Sequence, residues 1–283
     1  MTVVDNSKSI EYFTKQDSVT VEDPKIKGLC VQIIQAENLS KKDAVKFKKE
    51  DPFLPPFEPG LYVCELDEHR ILVNKFSMVK YHVLVTTKVF EDQHSLLRMK
   101  DFTASYLALK ALRGFCFYNG GQLSGSSQSH RHLQALPIHK EVPQSILMQI
   151  ELEMNQVEKD PVLGYKVHNL SYFRRYQHYI LELPVYDPDQ SELSVEEFVK
   201  VYYERYMKLL ELLNNQDHRC SYNLIWTERW MFMILRSKEH ILDKYSVNCL
   251  GAIGSFLVKN KEQKEELAQK TPTEMFDEIY ALL

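Results

Sequence analysis

Apolar positions along the chain fall into short β-branched or aromatic runs, and the change of spacing from run to run predicts the elements. "LYVCEL", "RILVNKF" and "YHVLVTTKVF" have strand length and polar borders, so they predict consecutive strands, the start of an antiparallel meander. In "DFTASYLALKALRG", Phe102, Tyr106, Leu109 and Leu112 recur at helical spacing before a glycine, which predicts a helix covering that sheet. "FCFYN" returns to strand spacing. After the loop "GGQLSGSSQS", the stretch "HRHLQALPI" has strand length and ends at a proline.

The second half repeats the alternation. "PQSILMQIELEMNQVEK" predicts a helix and "YFRRYQHYILELPVY" a strand with aromatic filling. "SVEE" is a capping box that opens the longest helix expected, to about residue 214, with Phe198, Val201, Tyr202, Tyr206, Leu209 and Leu213 on one stripe. "SYNLIWT" and "WMFMILR", parted by "ER", predict a hairpin, and "TPTE" caps a final helix over "EMFDEIYALL". Ahead of the first strands, "AVKFKKEDPFLPPFEP" carries four prolines and predicts an irregular connection that sets off a polar N-terminal arm of about residues 1–45. The order of elements predicts an α+β fold, a mainly antiparallel sheet flanked by helices. The whole of 1–283 is read as one domain, closed by a helical segment over about residues 260–283.

Composition narrows the classes without naming a function. With 44% apolar and 26% charged residues, the chain is neither disordered nor fibrous. Its 35 Lys and Arg against 39 Asp and Glu leave −4, which excludes binding of nucleic acid by bulk charge, so phosphate recognition must be local. No signal-peptide core is visible and no run approaches the roughly 18 apolar residues of a membrane helix, which predicts no membrane association and cytoplasmic residence, with the nucleus also open. Cys30, Cys64, Cys116, Cys220 and Cys249 lie far apart without a C-x-x-C pair, a pattern that favours reduced thiols.

The chemistry concentrates in "GSSQSHRHLQ". Successive side chains of a strand alternate, so His130, His132 and Gln134 share one face and Arg131 and Leu133 the other. Two imidazoles on one face suit a metal, although the third local position, Gln134, is a poor zinc ligand. The glycines Gly120, Gly121 and Gly125, with Ser124, Ser126, Ser127 and Gln128, suit a phosphate cradle. "GGQLSGSS" nearly matches a Walker loop, but Ser126 stands where that loop has lysine and a strand follows. A third reading is covalent catalysis, because a neutral imidazole can attack phosphorus when its second nitrogen is held as a donor. Spacing alone equally allows two histidines satisfied in a polar sheet face.

"NGGQLSGSSQSHRHLQ" is similar to the core motif of the diadenosine tetraphosphate phosphorylases, or ATP adenylyltransferases, an H-x-H-x-Q branch of the histidine-triad superfamily. "ILVNKFSMVKYHVLVTTKVFEDQ", "SYNLIWTERWMFMILRS" and "VNCLGAIGSFLVKN" resemble further segments of that family in the same order, from about residue 41 to 260. The resemblance implies a histidine-triad-like fold and phosphorolysis of diadenosine 5',5'''-P1,P4-tetraphosphate (Ap4A) to ATP and ADP, and the reverse. It implies that His132 is the nucleophile carrying AMP, that the His130 backbone holds its ring, and that Gln134, commonly histidine in the hydrolase relatives, contacts phosphate oxygens. Substrate contacts are implied at Lys41, Asn74, Lys75, Asn119, Gly125, Ser126, Ser127, Gln128, Asn248, Cys249, Leu250 and Lys259.

The same resemblance implies diadenosine polyphosphates, ATP, ADP and phosphate as partners, and no nucleic acid. A divalent cation, taken as Mg2+, would ride on substrate phosphates without a protein cage. Gln122 and Leu123 depart from the family, which commonly has a proline after the loop glycine, and they stay unassigned. Two other readings stand beside this one. Hexose-1-phosphate uridylyltransferases share H-x-H-x-Q but commonly place proline where Arg131 stands, and a catalytically silent dinucleotide-binding protein would have no need of the intact "HRHLQ". The remaining histidines, His82 among them, are assigned to core or surface, and oligomeric state is left open.

Overall fold

"WMFMILR" is apolar at almost every position instead of alternating, which is the pattern of a strand buried on both faces. The computed structural model describes residues 17–36, 51–77, 79–138, 145–185 and 194–283. In chain order these form β1 (Asp17–Glu22), β2 (Cys30–Gln35), β3 (Tyr62–Leu66), β4 (His69–Val73), β5 (Val83–Thr87), α1 (Met99–Leu112), β6 (Gly114–Gly120) and β7 (His132–Pro137). Then come α2 (Ser145–Gln156), β8 (Val167–His168), β9 (His178–Glu182), α3 (Val195–Leu212), β10 (Ser221–Trp226) and β11 (Trp230–Arg236). The chain ends with β12 (His240–Ile241), β13 (Tyr245–Ser246), β14 (Ser255–Val258), α4 (Lys261–Leu267) and α5 (Pro272–Ile279).

The expected α+β architecture is present. Nine strands in the order β3-β4-β5-β7-β6-β10-β11-β9-β8 form one sheet, every pair antiparallel. Along β6, Phe115 and Phe117 enter one core while Cys116 and Tyr118 enter the other, as the period of two requires. The second core is covered by α1 and α3, whose Phe102, Tyr106, Tyr202 and Tyr206 interleave their rings. Over the first core lie α2, α5 and a three-stranded sheet, β1-β2-β14. Both capping boxes close as expected, Ser194 with Glu197 and Thr271 with Glu274.

Three expectations are corrected. Residues 17–36 of the expected polar arm carry β1 and β2, and Leu29, Val31 and Ile33 lie in the first core. A distant parallel partner, β14, completes that hairpin. "YFRRYQHYILELPVY" is a strand only from His178. A 3-10 turn over Ser171–Phe173 precedes it and buries Phe173 among Phe232, Phe276 and Tyr280. The final helix stops at Ile279, because Tyr280 and Leu282 bridge to Arg236 and Tyr176 in extended form. The five cysteines are free. Among the described residues no helix is long and apolar enough to cross a membrane.

Candidate active site

The pairing of β6 with β7 runs from Gly114↔Pro137 to Phe117↔Gln134 and then stops. The next rung is supplied by a side chain. Gln93 accepts the His132 N–H at 2.8 Å and donates from Nε2 to the Asn119 carbonyl at 2.9 Å. Gln93 is fully buried, so its amide meets the backbone groups that the parting strands would otherwise leave unpaired. The gap makes room for the loop at residues 120–131. Gly125 in that loop has φ +79°, and a Cβ there would stand 2.2 Å from the Val247 carbonyl oxygen. Only glycine lets the loop lie against the segment at Asn248.

His132 donates from Nδ1 to the His130 carbonyl at 2.9 Å. In the neutral ring this leaves the lone pair on Nε2. His130 does not line the cavity with His132: its Nδ1 donates to Asp51 Oδ2 at 2.6 Å, and Nε2 meets the hydroxyl and carbonyl of Thr87 at 2.9 and 3.0 Å. Phe53 packs its ring 5.0 Å from His132. The same Nδ1-to-carbonyl bond recurs at His178, which donates to Tyr176 O at 2.8 Å, but there Nε2 accepts the Leu170 N–H at 2.8 Å. Burial pushes His178 down to about 4, so it is a neutral core histidine. His132 differs in bordering a cavity.

That cavity measures about 830 Å³ and lies between the "DPFLPPFE" strap, the ends of β4, β5 and β7, and the segment before β14. His132 and Gln134 line it together with Asn74, Lys75 and Asn119. Gly125, Ser127, Gln128, Asn248 and Leu250 complete the predicted set found there. Gln134 accepts from His82 Nε2 at 2.9 Å, which leaves its amide N–H groups as donors for a ligand. Lys75 is bound at 2.7 and 2.6 Å to both oxygens of Glu58 in the strap.

Other predicted positions lie elsewhere. His130 acts through its carbonyl, and Ser126 donates to Gln128 O at 3.1 Å. Cys249 is buried with its thiol pushed well up by desolvation, and its part is a backbone N–H donated to Asn119 Oδ1 at 2.8 Å. Lys259 is exposed beyond the cavity wall, and Lys41 lies outside the described residues. Gln122 and Leu123 are exposed and outside the lining.

The Ap4A phosphorylase N-terminal domain matches residues 14–156, and the ATP adenylyltransferase C-terminal domain matches residues 174–280. A Saccharomyces cerevisiae protein named diadenosine 5',5'''-P1,P4-tetraphosphate phosphorylase 2 is 30% identical over 247 residues, 78% of this chain and 73% of its own length. The chain belongs to the Ap4A phosphorylase family. A second S. cerevisiae relative, Protein APA1, is 27% identical over 250 residues, 78% of this chain and 72% of its own. The crystal structure of yeast Ap4A phosphorylase Apa2 with AMP is similar with a TM-score of 0.70 at 28% identity, covering 93% of this chain and 86% of that one. The Apa2 complex with Ap4A matches with 0.70 at 26% identity, covering 93% and 88%.

Within this member of the family, sequence reasoning missed Gln93, His82, Asp51 and Phe53. Only His82 carried a signal, since it opens the strand beside "HRHLQ" and sits one residue before the Val83↔Ala135 pair. The role of Gln93 depends on a gap between strands that no local pattern displays.

Proposed function

We propose that the chain is a nucleotidyltransferase that splits Ap4A with phosphate into ATP and ADP through an adenylylated His132, and catalyses the reverse. The observation that carries the reading is the His132 ring, held by the His130 carbonyl at 2.9 Å in a cavity that the residues of the phosphate loop also line. The Nε2 lone pair attacks the α-phosphorus, and the bond from that phosphorus to the bridging oxygen breaks. ATP leaves with the electron pair. An oxygen of phosphate then attacks the same phosphorus, the P–N bond breaks, and ADP departs with the ring neutral again. The amide of Gln134, the Gly125 backbone and the hydroxyl of Ser127 are placed to donate to phosphoryl oxygens, where fixed donors count most as charge develops.

A divalent cation, Mg2+ by its chemistry, belongs to the same proposal as a companion of the polyphosphate. Among the described residues no group of three or more His, Cys, Asp or Glu side chains forms a metal cage, and the carboxylates Asp51 and Glu58 of the wall are engaged by His130 and Lys75. Those residues fit an ion that arrives on the substrate and is held by phosphate oxygens. Residence in the cytoplasm or nucleus is part of the same proposal.

The test is to incubate the protein with Ap4A labelled in the α-phosphate and no phosphate. Acid-labile label on histidine is expected, released as ADP when phosphate is added. Replacing His132 with Ala should abolish both. Label and turnover that survive in that variant, or label released only as AMP, would sink the mechanism.

A further inference from the structure

Arg236, near the end of β11, is 3% exposed, and among the described residues its guanidinium meets no carboxylate. Its donors go to neutral oxygens: Nη1 to Asn223 Oδ1 at 2.8 Å, Nη2 to Lys238 O at 2.8 Å and Glu239 O at 3.1 Å, and Nε to Lys238 O at 3.1 Å. The Tyr280 ring lies 5.5 Å from it, but a buried cation with no carboxylate in contact costs free energy, so its retention calls for a reason. Asn223 supplies one. It stands opposite Asn119 across the β10–β6 pair, fully buried, and its Nδ2 donates to Asn119 Oδ1 at 3.1 Å and to Ser124 O at 3.0 Å.

A side-chain amide can face either way, but a guanidinium only donates. Arg236 therefore turns Asn223 Oδ1 toward itself, and the N–H bonds of Asn223 Nδ2 must point at Asn119 Oδ1 in β6 and at Ser124 O in the loop. Asn119 Oδ1 then receives Asn223 and, at 2.8 Å, the backbone N–H of Cys249. Two donors converge on that oxygen, so reversing the Asn119 amide would set its N–H groups against both. The Asn119 nitrogen is left for the cavity that this residue lines.

We propose that Arg236 and Asn223 are positioning residues that fix Asn119 as a donor to an oxygen of the bound dinucleotide and lock the Ser124 end of the phosphate loop in the same frame. The inference rests on the functional reading above for the identity of the ligand. Neither residue touches the cavity, and the effect is carried wholly by the polarity of successive hydrogen bonds.

The discriminating variant is Asn223→Asp. It is nearly isosteric and gives Arg236 a carboxylate, so the melting temperature should hold or rise. It also places acceptors against Asn119 Oδ1 and Ser124 O, so the Asn119 amide loses its inward orientation. The expected result is a KM for Ap4A raised at least about 10-fold, the scale of one lost hydrogen bond to a charged group, with kcat changed less. In an Asn119→Ala background the same substitution should add less than about 2-fold, because the residue it acts through is gone. Parent-like KM in Asn223→Asp, or full additivity with Asn119→Ala, would overturn the proposal. Should the parent protein bind Ap4A without splitting it, the functional reading fails separately. Calorimetric Kd for Ap4A then replaces KM, with the same loss expected and the same additivity criterion.

Discussion

Arg131 and Arg236 are both 3% exposed, and their surroundings differ in one respect. Arg131, on the back of the catalytic strand, bonds Glu91 at 2.8 Å and Asp101 at 3.1 Å, and Asp101 is bonded in turn by His69 at 2.7 Å. Arg236 bonds only carbonyls and an amide, with the Tyr280 ring 5.5 Å away. In the first network charge balances charge, so the arrangement is self-sufficient and ties β4, α1 and the strand of the nucleophile together. In the second no carboxylate touches the cation, and its donors impose a direction on the groups beyond it. Buried charge thus serves stability in one place and the orientation of a substrate-facing amide in the other, and exposure alone would not tell them apart.

The largest effect expected from breaking this comparison is on stability. Arg131→Met leaves Asp101 buried with His69 and the Arg98 N–H as partners, so about 3 kcal/mol should be lost in urea unfolding, the low end for a broken buried pair. Arg236→Met orphans no carboxylate and should lose less stability while raising KM for Ap4A about 10-fold. Equal losses of stability in the two variants would erase the distinction.

The pH dependence sharpens it next. Burial raises the Asp101 pKa, but the His69 hydrogen bond, the Arg131 charge and the Arg98 N–H outweigh this and hold the carboxyl below its ordinary 3.8. A depressed folded value means that the contribution of Asp101 is complete above the unfolded pKa and fades as pH falls from about 4 through the folded one. Acid unfolding followed by circular dichroism should show this limb in the parent and in Arg236→Met, and lose it in Asp101→Asn.

Smaller effects belong to the cavity wall. His82→Ala should lower kcat about 10-fold with little change in Tm, because Gln134 loses the donor that turns its amide, and His82→Gln, which keeps a donor at that reach, should recover most of it. Steady-state kinetics with thermal melts separate this from a folding defect. Glu58→Gln releases Lys75 from an exposed pair and should lower KM by no more than about 2-fold.

Much of the fold was legible because its signals are local. Capping boxes, apolar periods and the polar "ER" between two strand-like runs each occupy a few residues. The hairpin of β1 and β2 was not, since its third strand, β14, lies more than 200 residues further along the chain. "YFRRYQ" reads as strand from its aromatics, yet Phe173 is drawn into a turn by Phe276 and Tyr280 from the far end of the chain. For the site, the alternation of "HRHLQ" placed His132 and Gln134 together on the cavity but not His130, which precedes β7 and bridges to Asp92 instead. Lys259, placed by resemblance, lies just past the end of β14, exposed and outside the cavity lining that Leu257 joins.

The sequence by itself determined the strand carrying His132 and Gln134, the glycine-serine loop before it and the family, because these are matters of spacing and residue type within short windows. Tertiary structure alone decided which way Gln134 and Asn119 face, and which of two buried arginines is paired with carboxylates. Those depend on hydrogen-bond polarity between residues from 13 to 130 positions apart in the chain. Direction of donation is a property of the assembled pair, and no single stretch of sequence contains both members.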